Sequence, residues 1–216
     1  MNPLLKKALA EFLGVAVFLT AITAGVGPFK VVALALTLGL MIMVTGPVSG
    51  GHLNPAVSLF FYSRRAITLG DLLAYIAAQL AGGAFGAYLG SVLAGGTLKG
   101  FTAFGQSLPT NYIVGEVVAT AGLVWLIGTL VQHAKPEAIP YSVTAWIIAA
   151  ATFTVTGAQA NPAVTFGLML NGLAPNQGAV LILAELVGLM AAVLLLIVFA
   201  PAAKKAAAKK VASKKK

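Results

Sequence analysis

The tetrapeptide Asn-Pro-Ala-Val occurs twice in this chain, at residues 54–57 and 161–164, 107 positions apart. The segments around the two copies also correspond. "AEFLGVAVFL" at Glu11 pairs with "GEVVATAGLVWL" at Glu116, and "AAQLAGG" at Gln79 pairs with "LAELVGL" at Glu185, at offsets of 105 and 106. A chain made of two such copies must place equivalent elements in equivalent surroundings. No other feature restricts its fold as tightly.

The surroundings are apolar. Stretches at about 8–25, 31–47, 69–93, 112–133, 140–157 and 177–200 each approach the ~20 apolar residues that cross a bilayer, the second and fifth near the lower limit. Of the 216 residues 59% are hydrophobic and 9% charged, where a soluble domain carries about 25% charged residues. The class is a polytopic membrane protein. Lys6 and Lys7 before the first run resemble a signal peptide, but the run is long, carries Glu11 and has no clear small-x-small cleavage site, so it reads as a retained span. Three spans per copy is an odd number, so the second copy enters from the opposite side. The expected fold is an all-α membrane protein with six transmembrane helices and two membrane-dipping half-helices, arranged as an inverted repeat with a pseudo-two-fold axis in the membrane plane. The expected organisation is one domain over residues 1–200, with copies at about 8–93 and 112–200, and a lysine-rich tail over 201–216.

Cation placement orients the chain. With the N-terminus inside, the cytoplasmic segments hold Lys6, Lys7, Arg64, Arg65, Lys135 and seven lysines from Lys204 to Lys216, whereas Lys30 and Lys99 fall outside. Both termini are therefore expected in the cytoplasm of a multi-pass protein of the cell membrane. The tail directly follows a span, so it is expected to meet anionic lipid rather than nucleic acid.

Asn is a good helix N-cap, and Pro suits the first helical position, where no N–H is needed. Each "NPAV" thus reads as a helix start. From Asn54 to Arg64 and from Asn161 to Asn171 the chain has room for helices of about 15 Å, half of a ~30 Å hydrocarbon core. The first dips in from the cytoplasm and the second from outside, so their N-termini can meet at the centre. Arg64 and Arg65 suit a helix C-terminus, and Asn171 with Gly172 suits the end of the other half-helix. The stretches Ser49–Leu53 and 157–160 must then be non-helical. Irregular backbone is tolerated in a bilayer only against protein or a wet cavity. Their carbonyls, at Gly50, Gly51, His52, Leu53, Gly157, Gln159 and Ala160, are read as an acceptor path leading to the side-chain donors of Asn54 and Asn161. Opposed helix N-termini make the centre electropositive, which disfavours cations and protons.

The residues "SGGHLNPAVS", "ANPAVTFG", Glu11, Glu116 and Gln79 resemble the aquaporin, or major intrinsic protein, family of water and small-solute channels. The match covers about residues 8–200. The resemblance implies a pore in each subunit of a homotetramer, with Asn54, Pro55, Ala56, Asn161, Pro162 and Ala163 at its centre and neither cofactor nor metal. In most of the family the residue after the second Asn-Pro-Ala is an Arg lining a narrow constriction; here it is Val164. Ala158 falls on the same ring, with Leu34 or Leu38 from the second span and a fifth-span contributor near Ala149. None of these is aromatic or His. The expectation is a broader filter passing water and small uncharged solutes such as glycerol.

Glu11 and Glu116 are intramembrane acids, which either relay protons or accept hydrogen bonds from the Asn-Pro loops. Their equivalence in the repeat favours the scaffold role, and Gln79 with Glu185 form a second equivalent pair. His52 either lines a pore mouth or bonds a loop. Gly82, Gly86 and Gly90 permit close helix packing. With no cysteine, no metal-ligand cluster and no acid–base constellation, an enzyme is not expected. The rival reading is a secondary transporter, which also uses inverted repeats and broken helices.

Overall fold

The computed structural model describes residues 1–200; the expected lysine-rich tail lies outside the described residues. The elements are α1 Pro3–Ala24, α2 Lys30–Ser49, α3 Pro55–Ser63, α4 Leu69–Leu93, α5 Thr110–Gln132, a 3₁₀ turn Pro136–Ala138, α6 Ile139–Phe153, α7 Pro162–Met169 and α8 Pro175–Val198. Helices α1, α2, α4, α5 and α8 are long and apolar enough to cross a membrane. α6 has only 15 residues, about 22 Å at 1.5 Å per residue. The span expected to reach residue 157 therefore ends at Phe153. Thr154 turns to an extended conformation (φ −108°, ψ 137°), its N–H closing the last turn on Ala150 O at 3.1 Å.

Two of the long helices, α1 and α4, start on side-chain caps. Asn2 caps α1 through Oδ1 to Leu4 N, with Pro3 at the first position. Thr68 and Asp71 form a reciprocal capping box at α4. Lys7 Nζ reaches Asp71 Oδ1 at 3.1 Å, which ties the starts of α1 and α4 to one end of the bundle.

Glycines set the helix spacing. A Cβ at Gly82 would strike the Phe12 carbonyl oxygen, and one at Gly86 the Ala16 carbonyl oxygen, so α4 lies directly on the backbone of α1. In the second copy a Cβ at Gly188 would sit 2.5 Å from the Val117 carbonyl oxygen, and α8 lies on α5 in the same way. The glycine ladder thus serves packing within the chain. Both copies meet around a shared core that includes Val15, Leu19, Leu53, Val57, Leu123, Ile147 and Val164. Large apolar side chains such as Leu36, Leu40, Leu73, Leu183 and Leu194 remain exposed on the outside of the bundle. In a protein that lives in lipid, that face is the solvent-facing one.

α3 ends where expected, at Ser63 with Arg64 as its cap. Ser49 is the last residue of α2 rather than part of the irregular stretch, which starts at Gly50 (φ +93°). α7 ends at Met169, before the expected Asn171 and Gly172, with Leu170 as its cap.

Candidate functional site

α3 and α7 meet head to head. Asn54 and Asn161 are both extended (φ −161° and −160°), and each side chain caps its own helix: Oδ1 accepts from Ala56 N at 2.8 Å and from Ala163 N at 3.0 Å. Pro55 and Pro162 follow at the first helical position, where their missing N–H leaves nothing unpaired. With Oδ1 committed, each side-chain NH₂ faces the other copy. Asn54 Nδ2 donates to Ala160 O at 2.7 Å, and Asn161 Nδ2 donates to Leu53 O at 2.9 Å. Those carbonyls are aimed by unusual backbone: Leu53 has φ 50° and Ala160 φ 47°. Left-handed conformations cost a non-glycine residue of order 1–2 kcal/mol, and here the crossed hydrogen bonds hold them. Ala56 and Ala163 are fully buried, and their small side chains let the two helix starts approach.

Buried carboxyls hold the loops that carry the asparagines. Glu11 accepts four hydrogen bonds: from Ser49 Oγ (2.6 Å) and His52 N (3.0 Å) on Oε1, and from Leu53 N (2.6 Å) and Gln79 Nε2 (2.7 Å) on Oε2. Glu116 accepts from Gln159 N at 3.1 Å and Ala160 N at 2.7 Å. Glu185 accepts from Asn161 N at 3.1 Å and Thr165 Oγ1 at 2.7 Å. All four residues, Glu11, Gln79, Glu116 and Glu185, are 0% exposed, and none lines a cavity described below. Bonded to loop backbone N–H groups and sealed from water, Glu11 and Glu116 have the geometry of supports rather than of a proton relay.

Ser58 and Thr165 belong to the same network but do not stand out in the sequence. Ser58 Oγ accepts from Gln79 Nε2 at 3.0 Å and lies 3.2 Å from His52 Nδ1. Thr165 Oγ1 lies 2.7 Å from both Gln159 Oε1 and Glu185 Oε1. Both hydroxyls stand four residues after their Asn, so extending the repeat by one residue finds them. Tyr75 also joins, its hydroxyl donating to Ser49 O at 2.6 Å. His52 stacks on Phe61 at 4.5 Å and lines a cavity, and its ring bonds the Ser58 hydroxyl rather than a loop backbone.

Three cavities follow one another along the bundle. The mouth at the Lys7 and Arg64 end is about 490 Å³ and includes Gly46, Gly50, His52 and Phe61. It shares Gly50, His52 and Phe61 with a narrow inner cavity of about 40 Å³, room for a few waters. Gly50, Gly51, His52, Leu53, Asn54 and Asn161 line that inner cavity, together with Leu38 of α2. Each Asn amide has a second N–H beyond its crossed bond. The third cavity, about 370 Å³, opens at the Lys30 end and holds Leu34, Gly157, Ala158, Gln159 and Val164. It shares no lining residue with the inner one. Leu38 and Leu34 are one turn apart on α2, and Asn161 and Val164 one turn apart at the start of α7, so the two cavities approach end to end.

Two expected positions differ. Ala149 is exposed and lines none of these cavities. The inward face of α6 carries Val143, Ile147 and Ala150, at helical spacing, and Ala149 lies off that stripe. Ala160 also lines none of them; its carbonyl is occupied by Asn54. Among the described residues no group of three His, Cys, Asp or Glu could hold a metal ion.

A family model described as Major intrinsic protein matches residues 2–138. The chain is 30% identical over 194 residues to a protein named aquaglyceroporin from Toxoplasma gondii, covering 86% of this chain and 73% of that one. It is 32% identical over 169 residues to aquaglyceroporin AqpS of Rhizobium meliloti, covering 76% and 72%. With aquaporin AqpM of Methanothermobacter thermautotrophicus it shares 28% over 209 residues, covering 79% and 85%. In fold it is similar to the X-ray structure of the aquaglyceroporin from Plasmodium falciparum, with a TM-score of 0.68 at 23% identity over 88% of this chain and 93% of that one.

Proposed function

The chain belongs to the major intrinsic protein family, and from that premise we propose that it is a passive channel for water and small uncharged solutes, with glycerol the test case. The family is one of channels, not of enzymes. The observation that carries the reading is the crossed pair of asparagine bonds between two opposed helix starts, in the wall of a 40 Å³ cavity that a 370 Å³ cavity approaches. Each helix N-terminus carries roughly half a positive charge. A neutral molecule that accepts hydrogen bonds is welcome at such a junction, and a cation is not.

In this reading Asn54 and Asn161 offer their remaining N–H groups to the permeating molecule. The carbonyls of Gly50, Gly51 and His52 on one side, and of Gly157 and Gln159 on the other, serve as acceptors along the path. Val164, Ala158 and Leu34 form the selectivity constriction, and Leu38 lies deeper, beside the asparagines. A ring of Val, Ala and Leu has no fixed cation and no aromatic wall, which suits a polyol carbon chain as well as water. Residues 1–200 act as one channel domain, assembled as a homotetramer in the cell membrane with both termini in the cytoplasm.

Stopped-flow light scattering on proteoliposomes tests this. Under an impermeant sucrose gradient, shrinkage well above that of empty vesicles is expected, and under glycerol a rapid re-swelling. Water flux without glycerol flux overturns the solute half. No excess water flux, or saturable uptake tied to an ion gradient, overturns the channel in favour of a transporter.

A further inference from the structure

The cavity at the Lys30 end has one charged residue in its lining among the described residues, and it is Lys30 itself. Lys30 is the first residue of α2. Its stem lies over Gly25 at the end of α1: a Cβ built on Gly25 would sit 3.1 Å from Lys30 Cγ and 3.6 Å from Cε. The C-terminus of α1, with its partial negative charge, is a favourable seat for a cation. A second cation stands close by. Lys99 Nζ is 3.5 Å from where a Cβ on Gly172 would be, next to Asn171 of the cavity wall.

Nothing of opposite sign balances them. The chain has five acidic residues. Glu11, Glu116 and Glu185 are sealed in the interior, Asp71 pairs with Lys7 at the opposite end, and Glu137 sits in the 3₁₀ turn before α6, also at that end. This mouth is therefore positive, and the neutral Val164 shares its wall.

We propose that Lys30 supplies the fixed positive charge that keeps cations, protons included, out of this mouth, at the rim of the cavity that Val164 leaves uncharged. The proposal rests on the channel reading. A charge at a wet rim acts through the potential it adds, so it bears on cation entry and leaves water and glycerol flux largely unchanged. A like charge in a partly screened cleft changes the local concentration of a cation by about three- to tenfold per unit charge.

The test exploits the absence of cysteine: Lys30→Cys creates a unique thiol. Proteoliposomes carrying it are treated with a methanethiosulfonate bearing either a trimethylammonium or a sulfonate group. Sodium and proton leak are then read beside water flux. The expected leak is lowest with the cationic adduct, intermediate with the free thiol and highest with the anionic adduct. The spread should collapse in 1 M salt, where the screening length is about 3 Å. Lys30→Arg should behave as the unaltered chain. Equal leak with the two adducts, or a thiol that neither reagent reaches, overturns the proposal while water flux persists. Loss of water flux from the unaltered chain instead overturns the channel reading on which it rests.

Discussion

Replacing Glu11 by Gln changes one atom and should cost the protein much of its stability. The reason is the way its four hydrogen bonds are divided. Oε1 takes Ser49 Oγ and His52 N; Oε2 takes Leu53 N and Gln79 Nε2. Each oxygen thus serves one adaptable side chain and one backbone N–H. Whichever way a glutamine amide is turned, its NH₂ faces a backbone donor that cannot rotate away. The Ser49 hydroxyl can turn to accept, and Gln79 can flip to present Oε1, which has no partner in the structure, but His52 N or Leu53 N is left unpaired. One buried orphan donor costs about 1–3 kcal/mol, and the remaining bonds lose their charge-assisted share, so the total is roughly 3–5 kcal/mol. For a chain of this size each kcal/mol shifts the midpoint by about 2–4 °C, which places the expected fall near 10 °C. The assay is thermal unfolding of the detergent-solubilised protein followed by tryptophan fluorescence, with water flux measured on the same preparation. Because Leu53 O is the acceptor for Asn161, flux should fall with stability. A midpoint within about 2 °C of the unaltered chain, with full flux, would refute the claim that Glu11 holds this loop.

Glu185→Gln should be tolerated, with less than about 1 kcal/mol lost, because Glu185 Oε2 has no partner and a Gln already stands at the equivalent Gln79; a loss as large as that of Glu11→Gln in the same melting assay would contradict it. Val164→Arg places a long cation in the 370 Å³ cavity and should reduce glycerol flux several-fold more than water flux; equal reductions would show that Val164 is not at the constriction. Gly82→Ala puts a Cβ against the rigid Phe12 carbonyl and should destabilise by about 1–3 kcal/mol as α1 and α4 are forced apart, which a melting curve reads directly; an unchanged midpoint would mean that this contact is looser than it stands here.

Much of the fold was legible because it is written in composition and repetition. The run of apolar stretches sets the spans, since a bilayer demands about 20 apolar residues per crossing. Pro55 and Pro162, each following an Asn, mark helix starts wherever they occur. The odd number of spans per copy then forces the two half-helices to point at one another. The equivalence of Glu11 with Glu116 and of Gln79 with Glu185 was also visible, though not the contacts each makes. The end of α6 was not: "TFTVTG" reads as a continuing apolar run, and only the loop that must reach Glu116 pulls Thr154 out of the helix.

By itself, then, the sequence determined the membrane class, the inverted repeat and the two helix starts, because these follow from hydropathy and from local N-capping chemistry. The tertiary structure alone decided the crossed bonds between Asn54 and Ala160 and between Asn161 and Leu53, which join residues 106 and 108 positions apart. It alone decided that Val143, Ile147 and Ala150 rather than Ala149 face inward, and that Lys30 enters a cavity wall. The physical reason is that lipid is as apolar as a protein core. A helix buried in a bilayer carries no polar stripe to reveal its rotation, and the inward face emerges only when its neighbours are packed against it.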